Sequence, residues 1–229
     1  TNAVATGIDR FGDYELLEKI GEGGMGVVYK ARQVTADRLV ALKLIRPDQL
    51  SQFLPAEREQ VIARFRNEVQ AAAKLDHDHV VTVYDVGEVE GQSYYAMRFV
   101  RGQSLKEMLA DGPLAPQVAA RYIEQVARAL SAAHALGILH RDLKPHNVMV
   151  DSETDRALLA DFGLAKLIEG DQQLTATEAV MGSPPYMSPE QTLDAGKVTA
   201  ASDIYGLCAT LYHLLTGRPP FQAANTVNT

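Results

Sequence analysis

Apolar residues in the first hundred positions come in short runs that polar residues interrupt, as in β-strands. These runs cover residues 14–20, 27–33, 38–45, 80–89 and 93–100. A glycine cluster at 21–26 separates the first two runs, and Glu90-Gly91-Gln92 marks a turn between the last two. Between Glu57 and Leu75 the apolar positions instead recur at helical spacing. This part of the chain is therefore predicted to form a mostly antiparallel sheet with one amphipathic helix.

The pattern changes after Gly102, where helical periodicity replaces the short apolar runs. A long helix is predicted to begin near Pro116, because proline is favoured in a first helical turn, and to end at Gly137. A second helix is predicted over Ser202–Thr216, with Gly217 as its stop signal. The second half of the chain is thus expected to be rich in helices.

Together these elements predict an α+β fold with two lobes. Residues 13–100 are expected to form a small β-rich lobe with one main helix, and residues 101–229 a larger α-rich lobe. A hinge is expected near Val100. Residues 1–12 mix small and polar types without a period, so they are interpreted as a flexible leader.

Composition narrows the class of protein further. The 229 residues are 46% hydrophobic and 22% charged, as in folded globular chains, so wholesale disorder is excluded. A formal net charge of -7 disfavours a nucleic-acid partner. The single cysteine, Cys208, allows no intrachain disulfide, and the longest apolar run, Ile204–Leu215, is too short to span a membrane. We therefore expect a cytoplasmic location with no membrane segment in this chain, while an anchor beyond residue 229 stays open.

Gly21, Gly23 and Gly26 form a G-x-G-x-x-G pattern, which allows backbone N–H groups to approach phosphates closely. The same pattern occurs in dinucleotide-binding folds, but there a helix follows the last glycine. Here the residues after Gly26 are β-type, which disfavours a nicotinamide site and favours a hairpin that folds over phosphates. On this pattern alone, an ordinary glycine hairpin without a ligand stays open.

Lys43 lies at the end of the apolar segment Val40–Lys43, where a lone ammonium group is costly unless a carboxylate or phosphate meets it. Glu68 on the following helix could meet it if that helix packs against the sheet. Taken singly, Lys43 could also be a surface lysine, and Glu68 a solvated helix residue.

Residues 140–147 read His-Arg-Asp-Leu-Lys-Pro-His-Asn, and Asp161-Phe162-Gly163 follow. In this order, after the glycine cluster and Lys43, the motifs match the protein-kinase signature almost letter for letter. Over Tyr14–Phe221 the chain therefore resembles the eukaryotic-like serine/threonine protein kinases of bacteria. The resemblance implies a bilobal kinase fold and transfer of the γ-phosphoryl group of ATP to protein hydroxyls.

The resemblance also implies roles for the motif residues. Asp142 would accept or orient the substrate hydroxyl, and Lys144 would offset charge on the γ-phosphate during transfer. Asn147 and Asp161 would supply oxygen ligands to Mg²⁺, with Mn²⁺ as an alternative. Because Lys144 stands two residues after Asp142, as is usual in serine/threonine kinases, protein substrates with Ser or Thr hydroxyls are expected.

By the same resemblance, ATP would lie between the lobes. Lys43 would hold its α- and β-phosphates and pair with Glu68. The adenine would contact the apolar side chains of Val28, Ala41 and Met149. Met97 would be the gatekeeper, and the backbone groups of Phe99 and Val100 would be hydrogen-bonding partners of the adenine at the hinge. Taken singly, each of these residues could also be part of an ordinary core.

A switch segment is expected between Asp161 and the Ser188-Pro189-Glu190 motif. Thr175 and Thr177 are its candidate phosphorylation sites, and the resemblance implies that Arg141 pairs with a phosphate on the segment. An unmodified polar loop is the alternative.

Two functions stay open. One is an active ATP- and Mg²⁺-dependent serine/threonine protein kinase in signal transduction, which modifies its own loop through transient self-association. The other is a nucleotide-binding pseudokinase, signalling scaffold or inactive truncated domain. Kinases of this type continue into further helices, so the α-rich lobe is expected to be incomplete at its C-terminal end.

Overall fold

The computed structural model describes residues 9–23, 26–46, 55–162, 184–193 and 197–221. Within these ranges, the side chains of residues 55–58, 68 and 184 are not described. The described residues form two lobes, one built on a β-sheet and the other on helices. The predicted α+β, two-lobed fold is therefore confirmed.

An antiparallel sheet of six strands forms the first lobe. Its strands are β1 (Arg10–Phe11), β2 (Tyr14–Gly23), β3 (Gly26–Gln33), β4 (Arg38–Ile45), β5 (Val83–Val89) and β6 (Gln92–Arg98). Their order across the sheet is β1-β2-β3-β4-β6-β5. Glu90 and Gly91 both have positive φ and form the tight turn that the sequence predicts between β5 and β6.

The sheet begins earlier than the sequence predicts, so treating all of residues 1–12 as a flexible leader is wrong. β1 pairs with the start of β2, and the N–H of Leu16 donates to the carbonyl oxygen of Asp9 at 2.8 Å. The ring of Phe11 packs edge-on against Tyr94 with centroids 5.5 Å apart. A strand of two residues is too short to show a period, which is why the hydrophobic pattern missed it.

Helix α1 (Pro55–Ala73) covers one face of this sheet, as its periodicity predicts. Val61, Phe65 and Val69, four residues apart on one face of α1, are all buried. The ring of Phe65 lies 6.1 Å from that of Tyr95 on β6. This packing fixes α1 beside the strands that carry Lys43 and Tyr95.

Helices dominate the second lobe. They are α2 (Leu105–Met108), α3 (Pro116–Ala135), α4 (Pro189–Leu193) and α5 (Ala200–Thr216). α3 begins at Pro116 as predicted, and Gly217 ends α5 with a left-handed φ of 72°. The two long helices bury Tyr122, Val126 and Leu214 in one core. No helix in the described ranges is long and apolar enough to cross a membrane.

A small second sheet, which the sequence pattern did not reveal, joins the lobes. It contains β7 (Gly102–Ser104), β8 (Val148–Asp151) and β9 (Ala157–Leu159) in that order. Leu159 accepts an N–H bond from Val81 and donates one to the carbonyl of His79, both at 2.9 Å. These bonds tie the second lobe to the segment that follows α1.

Candidate functional site

Three predicted site residues meet in the loop just before β8. The Nδ2 of Asn147 donates to the backbone oxygen of Asp142 at 2.7 Å and to its Oδ2 at 3.0 Å. The Nζ of Lys144 lies 2.8 Å from the same Oδ2. The carboxylate of Asp142 is therefore held in place by an amide and an ammonium group.

Asp203 on α5 anchors the backbone of this loop. Its Oδ2 accepts the N–H of His140 at 2.8 Å, and its Oδ1 accepts the N–H of Arg141 at 2.7 Å. His134 on α3 lies 2.8 Å from Oδ2 through its Nε2. The Asp203 side chain is only 1% exposed, and Arg141 has a left-handed φ of 63°. The buried carboxylate thus holds a backbone conformation that is costly for a residue other than glycine.

A second cluster brings Lys43 and Asp161 together. The Nζ of Lys43 donates to Oδ2 of Asp161 at 2.7 Å, and the hydroxyl of Tyr95 donates to Oδ1 at 2.5 Å. Burial acts to raise the pKa of Asp161, but the charge and hydrogen bond of Lys43, together with Tyr95, lower it to about 2. Burial and the Asp161 charge raise the pKa of Tyr95 well above its usual value. Tyr95 is therefore a neutral donor and Asp161 an anion at neutral pH.

The predicted pairing of Lys43 with Glu68 stays a prediction. Glu68 lies on α1, but its side chain is outside the part of the chain that the structure describes. The carboxylate that meets Lys43 among the described residues is Asp161.

His140 connects the two clusters. Its ring accepts the N–H of Asp142 at Nδ1, 3.3 Å away, and donates from Nε2 to the carbonyl of Ala160 at 3.0 Å. The same ring packs 5.0 Å from the ring of Phe162. Burial lowers the pKa of His140, so the ring is neutral and keeps both roles. The loop of residues 140–147 and the residues beside Asp161 are therefore fixed relative to each other.

The predicted metal ligands suit a hard divalent cation. Asp161 offers an anionic carboxylate. The Nδ2 group of Asn147 donates both of its hydrogens to Asp142, so the Oδ1 atom of Asn147 is left to act as a ligand. Mg²⁺ prefers a few protein oxygens completed by phosphate and water. Asn147 and Asp161 would hold such an ion, and the residues present fit it.

The glycine pattern forms the end of a hairpin. Gly21 and Gly23 lie on β2 and Gly26 opens β3, with Gly23 and Gly26 paired across the strands. Because a strand follows Gly26, the dinucleotide-binding alternative is wrong and the predicted hairpin is confirmed, whereas its contact with phosphates stays a prediction.

The residues predicted to contact adenine belong to one hydrophobic cluster. Ala41, Met97 and Val100 are buried in it together with Leu158. The partly buried residues packed against this cluster include Val28, Phe99 and Met149. Side chains from both lobes thus meet in one apolar region, although their contact with a nucleotide stays a prediction.

The expected switch segment lies mostly outside the described residues, and so do Thr175 and Thr177. The described residues at the C-terminal end of this segment contact the loop of residues 140–147 through Gln191. The Nε2 of Gln191 donates to the carbonyl oxygen of Arg141 at 2.7 Å, and its Oε1 accepts the N–H of Ser188 at 3.0 Å. The pairing of Arg141 with a phosphate therefore stays a prediction.

Residues 14–229 match the family described as protein kinase domain. The chain belongs to the protein kinase family. The chain is 42% identical over 218 residues to the serine/threonine-protein kinase PrkC of Bacillus subtilis, and the alignment covers 95% of this chain and 32% of that protein. It is 41% identical to serine/threonine-protein kinase PknD of Mycobacterium tuberculosis over 97% of this chain and 32% of that protein. The chain thus spans about a third of the length of these relatives.

A solved structure supports the same fold. The PknI kinase domain of Mycobacterium tuberculosis aligns with a TM-score of 0.75 and 33% sequence identity, over 95% of this chain and 78% of that chain. The two-lobed architecture of the chain is therefore that of its family.

Two features of the site were not predicted from the sequence. One is Tyr95, although its place opposite Lys43 in the β4–β6 register follows from antiparallel pairing. The other is an ion pair across the hinge, where Nη2 of Arg98 lies 2.9 Å from Oδ2 of Asp151. Fifty-three residues separate this second pair, and no local pattern connects them.

Proposed function

We propose that this chain transfers the γ-phosphoryl group of ATP to Ser and Thr hydroxyls of proteins. The observation that carries the proposal is the arrangement of Asp142, fixed by Lys144 and Asn147, beside the Lys43–Asp161 pair. His140 joins these two groups through hydrogen bonds on both sides of its ring. Phosphoryl transfer depends mainly on positioning and on neutralising charge, and this arrangement provides groups for both.

Each residue has a task that its contacts support. Asp142 accepts or orients the proton of the substrate hydroxyl, because its carboxylate is held in one position by Asn147 and Lys144. Lys144 sits beside that carboxylate and carries positive charge toward the transferred group. Lys43 provides a second ammonium group for the phosphates. When bound, a divalent cation would neutralise phosphate charge next to Asn147 and Asp161.

Ser/Thr specificity is supported by Lys144 and by the names of the relatives, which are serine/threonine-protein kinases. Magnesium is proposed as the metal, with manganese as its substitute. We further propose that the kinase phosphorylates Thr175 or Thr177 of its own loop after transient self-association, that Arg141 pairs with the resulting phosphate, and that the site works in the cytoplasm. We propose that the first lobe ends at residue 100 and that residues 101–229 form the second, with the first lobe beginning at β1 rather than at residue 13.

Phosphate transfer to a generic protein substrate tests the proposal. With radiolabelled ATP and Mg²⁺, Asp142→Asn should lower the rate by about 10²–10⁴-fold, the range of general-base contributions. Lys43→Ala should lower it strongly as well. Asp37→Asn is the matched control, because Asp37 is an exposed turn residue that pairs with Arg32. Equal rates in wild type, Asp142→Asn and Asp37→Asn would contradict the catalytic assignment, and nucleotide binding without transfer would favour a pseudokinase.

Self-modification is tested separately. Mass spectrometry of the protein expressed as wild type and as Asp142→Asn should find phosphate on Thr175 or Thr177 only in the wild type. Equal phosphorylation of both proteins would mean that another kinase modifies the loop.

A further inference from the structure

Tyr95 places a hydroxyl group beside Asp161, one of the two proposed metal ligands. Its side chain is 1% exposed, and its O–H donates to Oδ1 of Asp161 at 2.5 Å. Lys43 occupies the other oxygen, Oδ2, at 2.7 Å. Each oxygen of the carboxylate therefore receives one donor, one neutral and one cationic.

Three elements hold this hydroxyl in position. Tyr95 lies opposite Lys43 in the β4–β6 register, so both side chains are on the same face of the sheet. Its ring packs 6.1 Å from Phe65 of α1. The phenol is thus fixed by a strand, a helix and a carboxylate, and its direction toward Asp161 does not depend on a mobile side chain.

The two donors differ in how they relate to an incoming cation. An ammonium group competes with a metal ion, because both are positive and both neutralise the carboxylate. A hydroxyl group donates a single hydrogen and leaves the second lone pair of Oδ1 free for a ligand. A metal-binding carboxylate is commonly oriented by such an outer hydrogen bond, and loss of that bond typically weakens metal affinity 10–100-fold.

We propose that Tyr95 is a positioning residue that orients the Asp161 carboxylate toward the divalent cation of the nucleotide site. This inference rests on the proposed function, because it assigns a task to Tyr95 in the same site. A purely structural tyrosine would stabilise the fold and leave metal dependence unchanged. A tyrosine that blocks the metal would make the cation bind more tightly once its hydroxyl is removed.

Nucleotide binding with and without metal separates these cases. The affinity for ADP is measured by calorimetry in EDTA and again in Mg²⁺, and the ratio of the two affinities isolates the contribution of the metal. Tyr95→Phe should bind ADP in EDTA within about 2-fold of wild type, and its gain from Mg²⁺ should fall by about 10-fold. Tyr94→Phe is the matched control, because that neighbouring hydroxyl donates to Asp85 at 2.9 Å. It should keep the full gain.

A double-mutant cycle completes the test. Asp161→Asn should remove most of the gain from Mg²⁺, and adding Tyr95→Phe should then have no further effect. Tyr95→Met removes the hydroxyl with a flexible apolar chain and replaces Tyr95→Phe if melting curves show that the latter does not fold. An unchanged or increased Mg²⁺ gain in these variants would overturn the proposal. If the wild type does not bind ADP even with Mg²⁺, the proposed function fails instead.

Discussion

Gly26 is the glycine of the loop for which the neighbouring backbone leaves least room. A β-carbon at this position would lie 2.1 Å from the carbonyl oxygen of Leu44 on the paired strand β4. At Gly21 a β-carbon would meet Val28 at 3.7 Å, an ordinary contact. At Gly23 it would meet no atom of the described residues within 4 Å. Gly26→Ala should therefore disturb the pairing of β3 with β4, whereas Gly23→Ala should not.

The size of this effect follows from the displacement that relieves the clash. An ordinary contact begins near 3.4 Å, so the two backbones must separate by about 1.3 Å at Gly26. Overpacking strain of this kind costs about 1–3 kcal/mol, and a weakened ladder hydrogen bond costs about 1 kcal/mol more. We expect the free energy of unfolding to fall by about 3 kcal/mol. For a chain of this size, that corresponds to about 6–12 °C in Tm.

Thermal unfolding followed by circular dichroism checks the prediction. Wild type, Gly26→Ala and Gly23→Ala are compared at one protein concentration and without nucleotide, because a ligand would stabilise the folded state of each variant differently. Gly23→Ala serves as the control with the same change in side chain on the same hairpin. The steric argument fails if the two variants melt within about 2 °C of each other.

Two further predictions concern the loop of residues 140–147. Asp203→Ala leaves the N–H groups of His140 and Arg141 without their buried acceptor, so the free energy of unfolding measured in urea should fall by about 2–5 kcal/mol. A decrease of less than about 1 kcal/mol would contradict the anchoring role of Asp203. Burial lowers the pKa of His140, whose side chain is fully buried. Since the unfolded chain takes up this proton below about pH 6.5 and the folded chain resists it, stability should decrease as the pH falls below that value, by up to about 1.4 kcal/mol per pH unit. Urea midpoints between pH 7.5 and 5.5 measure this slope, and His140→Gln should reduce it; an unchanged slope in that variant would exclude His140 as a source.

Periodicity predicted the elements that bury a face over many residues. The strands from Tyr14 to Arg98 and the long helices α3 and α5 follow it closely, because each needs a repeated apolar position to reach a core. β1, β7 and β9 contain two or three residues each, and such strands form because neighbouring backbone is already in place. Strands this short have no local sequence pattern from which they could be predicted.

The candidate site shows the same division. The kinase motifs predicted Asp142, Asn147 and Asp161 because the chemistry of phosphoryl transfer restricts the residue types. The partners of Asp142 lie within the same motif, whereas those of Asp161 depended on contacts between distant segments. Lys43 and Asp161 are 118 residues apart, and their ion pair exists only because β4 and the residues after β9 face each other. Tyr95 likewise contacts Asp161 only because distant segments of the chain meet.

The pairing of charges in the site has a consequence for ligand binding. Lys43 and Asp161 are 13% and 24% exposed, and Lys144 and Asp142 are 22% and 14% exposed, so each ammonium group is the counter-ion of a largely buried carboxylate. A phosphate that attracts Lys43 away from Asp161 would leave that carboxylate buried without compensation, which is costly. A cation held at Asp161 would remove this cost and would also repel Lys43 toward the phosphate. Binding of a phosphate at Lys43 and binding of a cation at Asp161 should therefore be coupled, so that each strengthens the other.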